Sequence, residues 1–151
     1  MGNTLPSSSS ASVSAVGDIP SYLLDLPHYV HQLTLGNGKI CYLEIPAVDI
    51  QQSANFYKAV FGWHIRERSD GHMAFDDGVG EVSGTWVTGR KPADSGMLVY
   101  IMVDDINLSI DAINSHGGKI TQPVGMDAPE ITARFSDPAG NIFGIFQEAG
   151  Y

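Results

Sequence analysis

Asp49-Ile50 and Asp105-Ile106 head two stretches of this chain that repeat each other at an offset of 56 residues. At the same offset Ser53 falls on Ser109 and Gly62 on Gly118. The four matches share one structural job: helix cap, first apolar residue, helix surface and helix stop. Identities at a single offset, each on the same punctuation mark, indicate a duplicated supersecondary unit. Such a chain has to fold as two copies of a small module, neither of which can bury its sheet face alone.

Both copies read in one order. Asn37-Gly38 is a two-residue hairpin signal, and Lys39 to Ile45 alternates as a strand closed by Pro46. Asp49 then caps a predicted helix through about Phe61, whose apolar face is Ile50, Ala54, Phe56, Tyr57, Val60 and Phe61. Phe56, Tyr57 and Phe61 stand at helical spacing and read as core. Strands are predicted near 63–68, 72–76 and 81–88, with turns at Asp70-Gly71 and Asp77-Gly78. After a polar link from Gly89 to Gly96 the pattern restarts. Leu98 to Val103 is a strand, and Asp105 caps a helix through about Ser115 that His116-Gly117-Gly118 ends. Strands near 119–122, 131–136 and 141–147 follow, with Asp137-Pro-Ala-Gly140 turning into the last. Strand, helix and three strands, twice over, predict an α+β fold of two tandem βαβββ modules, about 39–88 and 97–148, in a single domain 39–151.

The residues ahead of it differ. Residues 1–17 are Ser-rich and aperiodic, too poor in apolar side chains to offset their ordering entropy, and are expected to be a disordered tail. Residues 18–38 form an N-terminal extension that Pro20 and Pro27 break into short apolar pieces. Ile19, Tyr22, Leu23, Leu24 and Leu26 make it too apolar for a free tail, so it is expected to pack on the domain or on a partner subunit.

Charge narrows the partners. Seventeen acidic side chains against eight basic ones give a formal charge of −9, which repels phosphate backbones and anionic membrane surfaces. No apolar run approaches the ~20 residues that span a bilayer. The first residues lack the basic and apolar regions of a secretory signal, and Pro6 stands where a myristoylation motif wants Ser or Thr. Cys41 has no disulfide partner in the chain. These features lead to the expectation of a cytoplasmic protein that binds neither nucleic acid nor membrane.

Tyr42-Leu-Glu-Ile-Pro-Ala-Val-Asp-Ile50, Asn55-Phe-Tyr-Lys-Ala-Val-Phe-Gly-Trp63, Val103-Asp-Asp-Ile106 and Asp137-Pro-Ala-Gly-Asn-Ile-Phe-Gly144 together resemble the vicinal oxygen chelate superfamily. That superfamily comprises glyoxalases, bleomycin-resistance proteins and extradiol dioxygenases. The resemblance covers roughly 39–148 and implies that the modules form a half-open, barrel-like cup. In metal-using members each module supplies His, Glu or Gln from its first and last strands to a divalent ion, which polarises a carbonyl or activates dioxygen. Carried onto this chain, the first-strand positions are Tyr42 and Leu98, and the last-strand positions are Gly84 and Gly144. Leu and Gly offer no side-chain donor, and a phenol with a pKa near 10 is a weak ligand. The resemblance therefore implies no metal site, although Glu81 lies three residues from Gly84 and a shifted register would bring it closer. Displaced ligands for Ni, Zn, Fe or Mn stay open as an alternative.

Period-two alternation pairs Tyr42 with Glu44, Gly84 with Trp86, Leu98 with Tyr100 and Gly144 with Phe146 on common faces. If those faces line the cup, two glycines leave room and aromatics wall it, which suits a flat or apolar ligand. The competing reading is that the same residues simply fill the cup. Glu44 is the candidate catalytic residue, as general base or as acceptor for a ligand; a partner such as Arg134, a backbone contact or exposure at an edge would equally explain it. Arg134 can hold an anionic ligand in a fork or pair with one of the many carboxylates. His28 and His31 lie in the extension, His64 and His72 can meet across a hairpin, and His116 suits a helix C-terminus.

The function expected is binding of a small apolar or aromatic molecule without the usual divalent metal. A lyase or dioxygenase-type enzyme using Glu44, Glu81 and a histidine, with or without metal, is the first alternative. A protein-interaction module docking through the extension is the second. The family analogy and an exposed sheet edge lead to the expectation of a homodimer.

Overall fold

Asp49 and Asp105 do what their positions require. In the computed structural model, which describes residues 33–150, Gln52 N donates to the Asp49 carboxylate at 3.1 Å. Asn107 N and Leu108 N both donate to Asp105 at 3.1 Å. Each carboxylate satisfies N–H groups that a helix start leaves unpaired. Helix α1 (Ile50–Phe61) and helix α2 (Ile106–Ser115) follow. Gly62 stops α1 in the left-handed region at φ 70°. In α2 the helix ends two residues sooner by the repeat count, and Gly117 at φ 98° takes the left-handed turn in place of Gly118. Gly118 is needed for another reason, since a Cβ there would stand 2.6 Å from Ile113 Cγ2 and 3.0 Å from Phe56 Cε1.

The first module contains β1 (Tyr42–Pro46), β2 (His64–Glu67), β3 (Met73–Asp76) and β4 (Ser83–Val87). The second contains β5 (Tyr100–Met102), β6 (Lys119–Gln122), β7 (Ile131–Ser136) and β8 (Ile142–Gln147). The sheet orders are β1-β4-β3-β2 and β5-β8-β7-β6, with the first strand of each module parallel to its last. The α+β reading with two tandem βαβββ modules therefore holds. Among the described residues no ladder joins the sheets, so the barrel stays unclosed.

Two local expectations differ. Asn37 and Gly38 form a turn, with Lys39 N donating to Gly36 O at 3.2 Å, but no paired strands flank it. β1 starts at Tyr42 because its ladder runs to β4, not back to the preceding residues. β5 is three residues long, since Leu98 and Val99 lie outside the strand. The tail 1–17, most of the extension, His28 and His31 fall outside the described residues. No described helix is long and apolar enough to cross a membrane.

One aromatic core serves both modules. Tyr57 stacks on Trp63 and Trp63 on Phe75, each at 4.5 Å between centroids, and Phe75 meets Trp86 at 4.9 Å. From α1, Phe56 and Phe61 reach Phe135 on β7, and Tyr57 reaches Phe143 on β8, at 5.7–5.9 Å. Neither module could bury these rings alone.

A polar knot ties the modules where the core ends. Asp137 is buried and accepts from Tyr57 Oη at 2.7 Å, from Asn141 Nδ2 at 2.9 Å, and from the backbone N–H groups of Ala139 and Asn141 at 2.9 Å. Asn141 Nδ2 also donates to Pro46 O at 2.7 Å, and Ala93 N donates to Asn141 Oδ1 at 2.8 Å. The turn before the last strand thus holds α1, β1 and the inter-module link together.

Candidate functional site

Parallel register decides which side chains share a face. Tyr42 stands opposite Ser83, Leu43 opposite Gly84, Glu44 opposite Thr85 and Ile45 opposite Trp86. The face turned away from the helix therefore carries Tyr42, Glu44, Ser83 and Thr85. β3 adds Ala74 and Asp76, and β2 adds His64 and Arg66. Gly84 and Trp86 lie on the opposite, helix-facing side. The sequence reading places them with Tyr42 in the cup, and the one-residue difference in register reverses that. Trp86 is 1% exposed in the core beside Tyr57 and Phe75. The Gly84 position is filled by Phe75: a Cβ there would be 2.7 Å from Phe75 Cε2 and closer still to Phe75 Cζ and the Leu43 carbonyl oxygen.

The face of the first sheet turned away from the helix is polar, and Ala74, Asp76, Ser83 and Arg66 on it are buried. Arg66 grips Asp76 in a fork, Nε to Oδ2 at 2.9 Å and Nη2 to Oδ1 at 3.0 Å, and Ser83 Oγ donates to Asp76 Oδ1 at 2.7 Å. Both members of this pair are buried. Thr85 Oγ1 donates to Met73 O at 2.6 Å. Burial, then the nearby Glu44 charge, raise the Tyr42 phenol above its ordinary value of 10.0, against the pull of Arg68 and Arg66. Glu44 itself is exposed and paired with Arg90 at 2.9 Å, so it is an edge carboxylate whose partner is Arg90, not Arg134. Glu81 contacts Thr34 and Lys39. His64 stands opposite Asp76, whereas His72 sits in the turn, 3.1 Å from Asp70, so the two histidines do not meet. His116 Nδ1 lies 2.8 Å from Ala112 O at the end of α2.

On the second sheet the expected faces hold. Tyr100 stands opposite Gly144 and Met102 opposite Phe146, while Arg134 and Thr132 on β7 face the same way. The side chains of Ile101, Ile145 and Phe135 turn to the core. Tyr100 and Met102 are 43% and 64% exposed. Leu98 is half-buried in the segment leading to β5. The Gly144 position is covered by the Tyr100 ring: a Cβ there would lie 2.9 Å from Tyr100 Cζ and closer still to Cδ2 and Cε2.

A groove of about 370 Å³ opens where the modules meet. Leu43, Phe61, Trp63 and Phe75 from the first module form one wall, Val99 to Met102 the other, and Val79 and Val82 stand at the β3–β4 turn. Asp77 is the acidic residue on its lining, and its carboxylate accepts from Glu81 N and Val82 N at 2.8 and 3.2 Å. Of the predicted site residues only Tyr100 lines this groove. Leu43, Trp63 and Phe75 were missed because alternation assigns them to the core side, where they also lie; the groove is that core running out to the surface between β1 and β5.

Metal ligation needs several converging His, Cys, Asp or Glu side chains. Among the described residues no three of these are placed to hold an ion. The acids on the face away from the helix are committed, Asp76 to Arg66 and Ser83, and Glu44 to Arg90. The donors among the described residues do not fit a divalent centre of the kind the resemblance implies elsewhere.

Residues 39–145 match the model of the Glyoxalase/Bleomycin resistance protein/Dioxygenase superfamily. A glyoxylase-like domain-containing protein of Didymella fabae is 30% identical over 124 residues, covering 76% of this chain and 97% of that protein. Among solved structures, a superfamily enzyme from Burkholderia phytofirmans PsJN superposes with a TM-score of 0.61 at 19% identity, over 73% of this chain and 98% of its own. TnmS3, an antibiotic binding protein from Streptomyces sp. CB03234, gives 0.60 at 16% identity, over 77% and 100%. The fosfomycin resistance protein FosX from Mesorhizobium loti gives 0.59 at 14% identity, over 77% and 96%. Tandem modules, parallel outer strand pairs and the family match agree, and the chain belongs to the glyoxalase/bleomycin resistance protein/dioxygenase superfamily.

Proposed function

We propose that this protein binds a small apolar or aromatic molecule without a divalent metal. The observation that carries the reading is the inter-module groove. Its volume, about 370 Å³, falls in the size class of small-molecule sites, and Phe61 and Tyr100 present partly exposed rings on its lining. The absence of a converging donor set among the described residues supports the metal-free form. A structural neighbour is named as an antibiotic binding protein, and the likeness of fold supports the reading.

Calorimetric titration of the full chain with a neutral naphthol tests the reading. Saturable binding is expected, undiminished by chelator and abolished when Ile101→Trp fills the groove. Elemental analysis of protein purified without chelator should find only substoichiometric Ni, Zn, Fe or Mn. A stoichiometric metal, or binding indifferent to Ile101→Trp, would overturn the proposal.

The same reading includes a homodimer. β1 and β5 are edge strands, and Met97 and Val79 near the junction are 89% and 65% exposed. Apolar side chains beside free strand edges favour association over solvent. Light scattering of the full chain should give twice the monomer mass, and a monomer at all concentrations would remove this part of the proposal.

A further inference from the structure

The chain has four arginines, and three of them hold carboxylates: Arg66 with Asp76, Arg68 with Asp70, Arg90 with Glu44. Arg134 differs. Its Nε is buried with no acceptor, and no described residue gives it an ion pair or hydrogen bond. In a protein with seventeen acids and eight bases, a half-buried guanidinium that no described acid answers is anomalous. Burying a charged N–H without an acceptor is costly, and a single surface acid would remove the cost.

The carboxylate tied to this face is spoken for. Asp127 accepts from Thr132 Oγ1 at 2.5 Å and from Gln122 Nε2 at 3.3 Å. Thr132 precedes Arg134 by two residues on β7, and Gln122 stands directly opposite it across a bulge in β6. Those two side chains hold Asp127 beside Arg134 rather than on it. On the other flank Gly144 is the cross-strand partner, and the Tyr100 ring lies over that glycine. Any larger residue at Gly144 would lift the ring from the sheet. A cationic fork and an aromatic plate thus sit side by side on one face, with polar groups behind the fork.

We infer that this face of the second sheet is a binding site for an aromatic carboxylate, with Arg134 taking the carboxylate and Tyr100 the ring. With Nε buried, the two Nη groups are the donors that meet a planar carboxylate end-on, and an adjacent ring supplies apolar area at low entropic cost. The assignment deepens the small-molecule reading and rests on it, since Tyr100 also borders the groove.

The test is titration of the full chain with benzoate and phenylacetate against their neutral amides, followed by calorimetry and by the Arg134 Nε–H resonance. In the wild type the carboxylates should bind about tenfold or more tightly than the amides, the measure of a charge-assisted contact. Arg134→Gln should erase that ratio and Arg134→Lys should restore only part of it. Naphthol binding in the groove should be unchanged in both, which also certifies that they fold. The Nε–H resonance should shift in step with saturation. An equal preference in wild type and Arg134→Gln, no carboxylate binding, or a stationary resonance would overturn the assignment. Naphthol binding without carboxylate preference overturns this site and leaves the groove standing; loss of both overturns both.

Discussion

Asp137→Ala is expected to remove about 3–5 kcal/mol of folding free energy, the range seen when a buried charged partner is deleted. The reason is the number of groups that depend on one side chain. Tyr57 Oη, Asn141 Nδ2 and the N–H groups of Ala139 and Asn141 all donate to it. Alanine leaves the phenol without its acceptor inside the core and opens the turn that presents Asn141 to Pro46 O. Domains of this size hold only about 5–15 kcal/mol in total. Urea unfolding should therefore show a large fall in midpoint with little change in slope. Tyr57→Phe removes one hydrogen bond from the same knot and should cost about 1 kcal/mol. It carries a pH signature as well. Burial, followed by the charge and hydrogen bond of Asp137, pushes the Tyr57 phenol well above its ordinary 10.0. The stability it contributes is complete below pH 10.0 and is lost as pH climbs from there toward the folded value. The gap between wild type and Tyr57→Phe should accordingly narrow above that pH. A gap that widens would show that the phenol is not buried in its neutral form.

The frame was legible because its signals are local. Asp49, Asp105 and Gly62 mark helix ends through their own backbone chemistry, and the α1 aromatics declare a core by spacing alone. Strand faces were legible only where the counting survived. In the second module alternation puts Tyr100, Gly144 and Phe146 on the cup face, and the ladders place them on one face together with Arg134. In the first, Gly84 and Trp86 were placed one residue out of phase with Tyr42. A parallel ladder between strands nearly forty residues apart has no turn to fix its register, unlike a hairpin. Exposure at an edge is among the readings the sequence leaves open for Glu44, but its partner was illegible for a related reason. Its partner Arg90 lies in the polar link, and nothing in the local pattern brings that link to β1. The groove could not be read at all, because it forms where two edge strands of different sheets approach. Arg134 was legible as a candidate, but only the structure separates it from the three arginines that found acids.

Gly84→Ala is expected to cost about 1–3 kcal/mol or more, the range for overpacking a core, while Gly144→Ala should cost far less. Both glycines invite the same reading, room left for a ligand, and on that reading both substitutions would be tolerated. The atoms they would meet are different in kind. At Gly84 the new methyl would run into the Leu43 carbonyl oxygen and the ring of Phe75, which is 0% exposed and stacked on Trp63. A backbone oxygen in a ladder and a ring wedged between two tryptophans have nowhere to go. At Gly144 the three nearest atoms the methyl would meet all belong to the ring of Tyr100, a residue that is 43% exposed and so has solvent to move into. Thermal unfolding should separate the two variants clearly. Tyr100 fluorescence and carboxylate binding should change in Gly144→Ala although stability does not, because the aromatic plate is displaced from beside Arg134. Equal tolerance of both would mean that Phe75 does not occupy the space over β4. Equal loss would mean that Tyr100 belongs to the core rather than to a surface that binds.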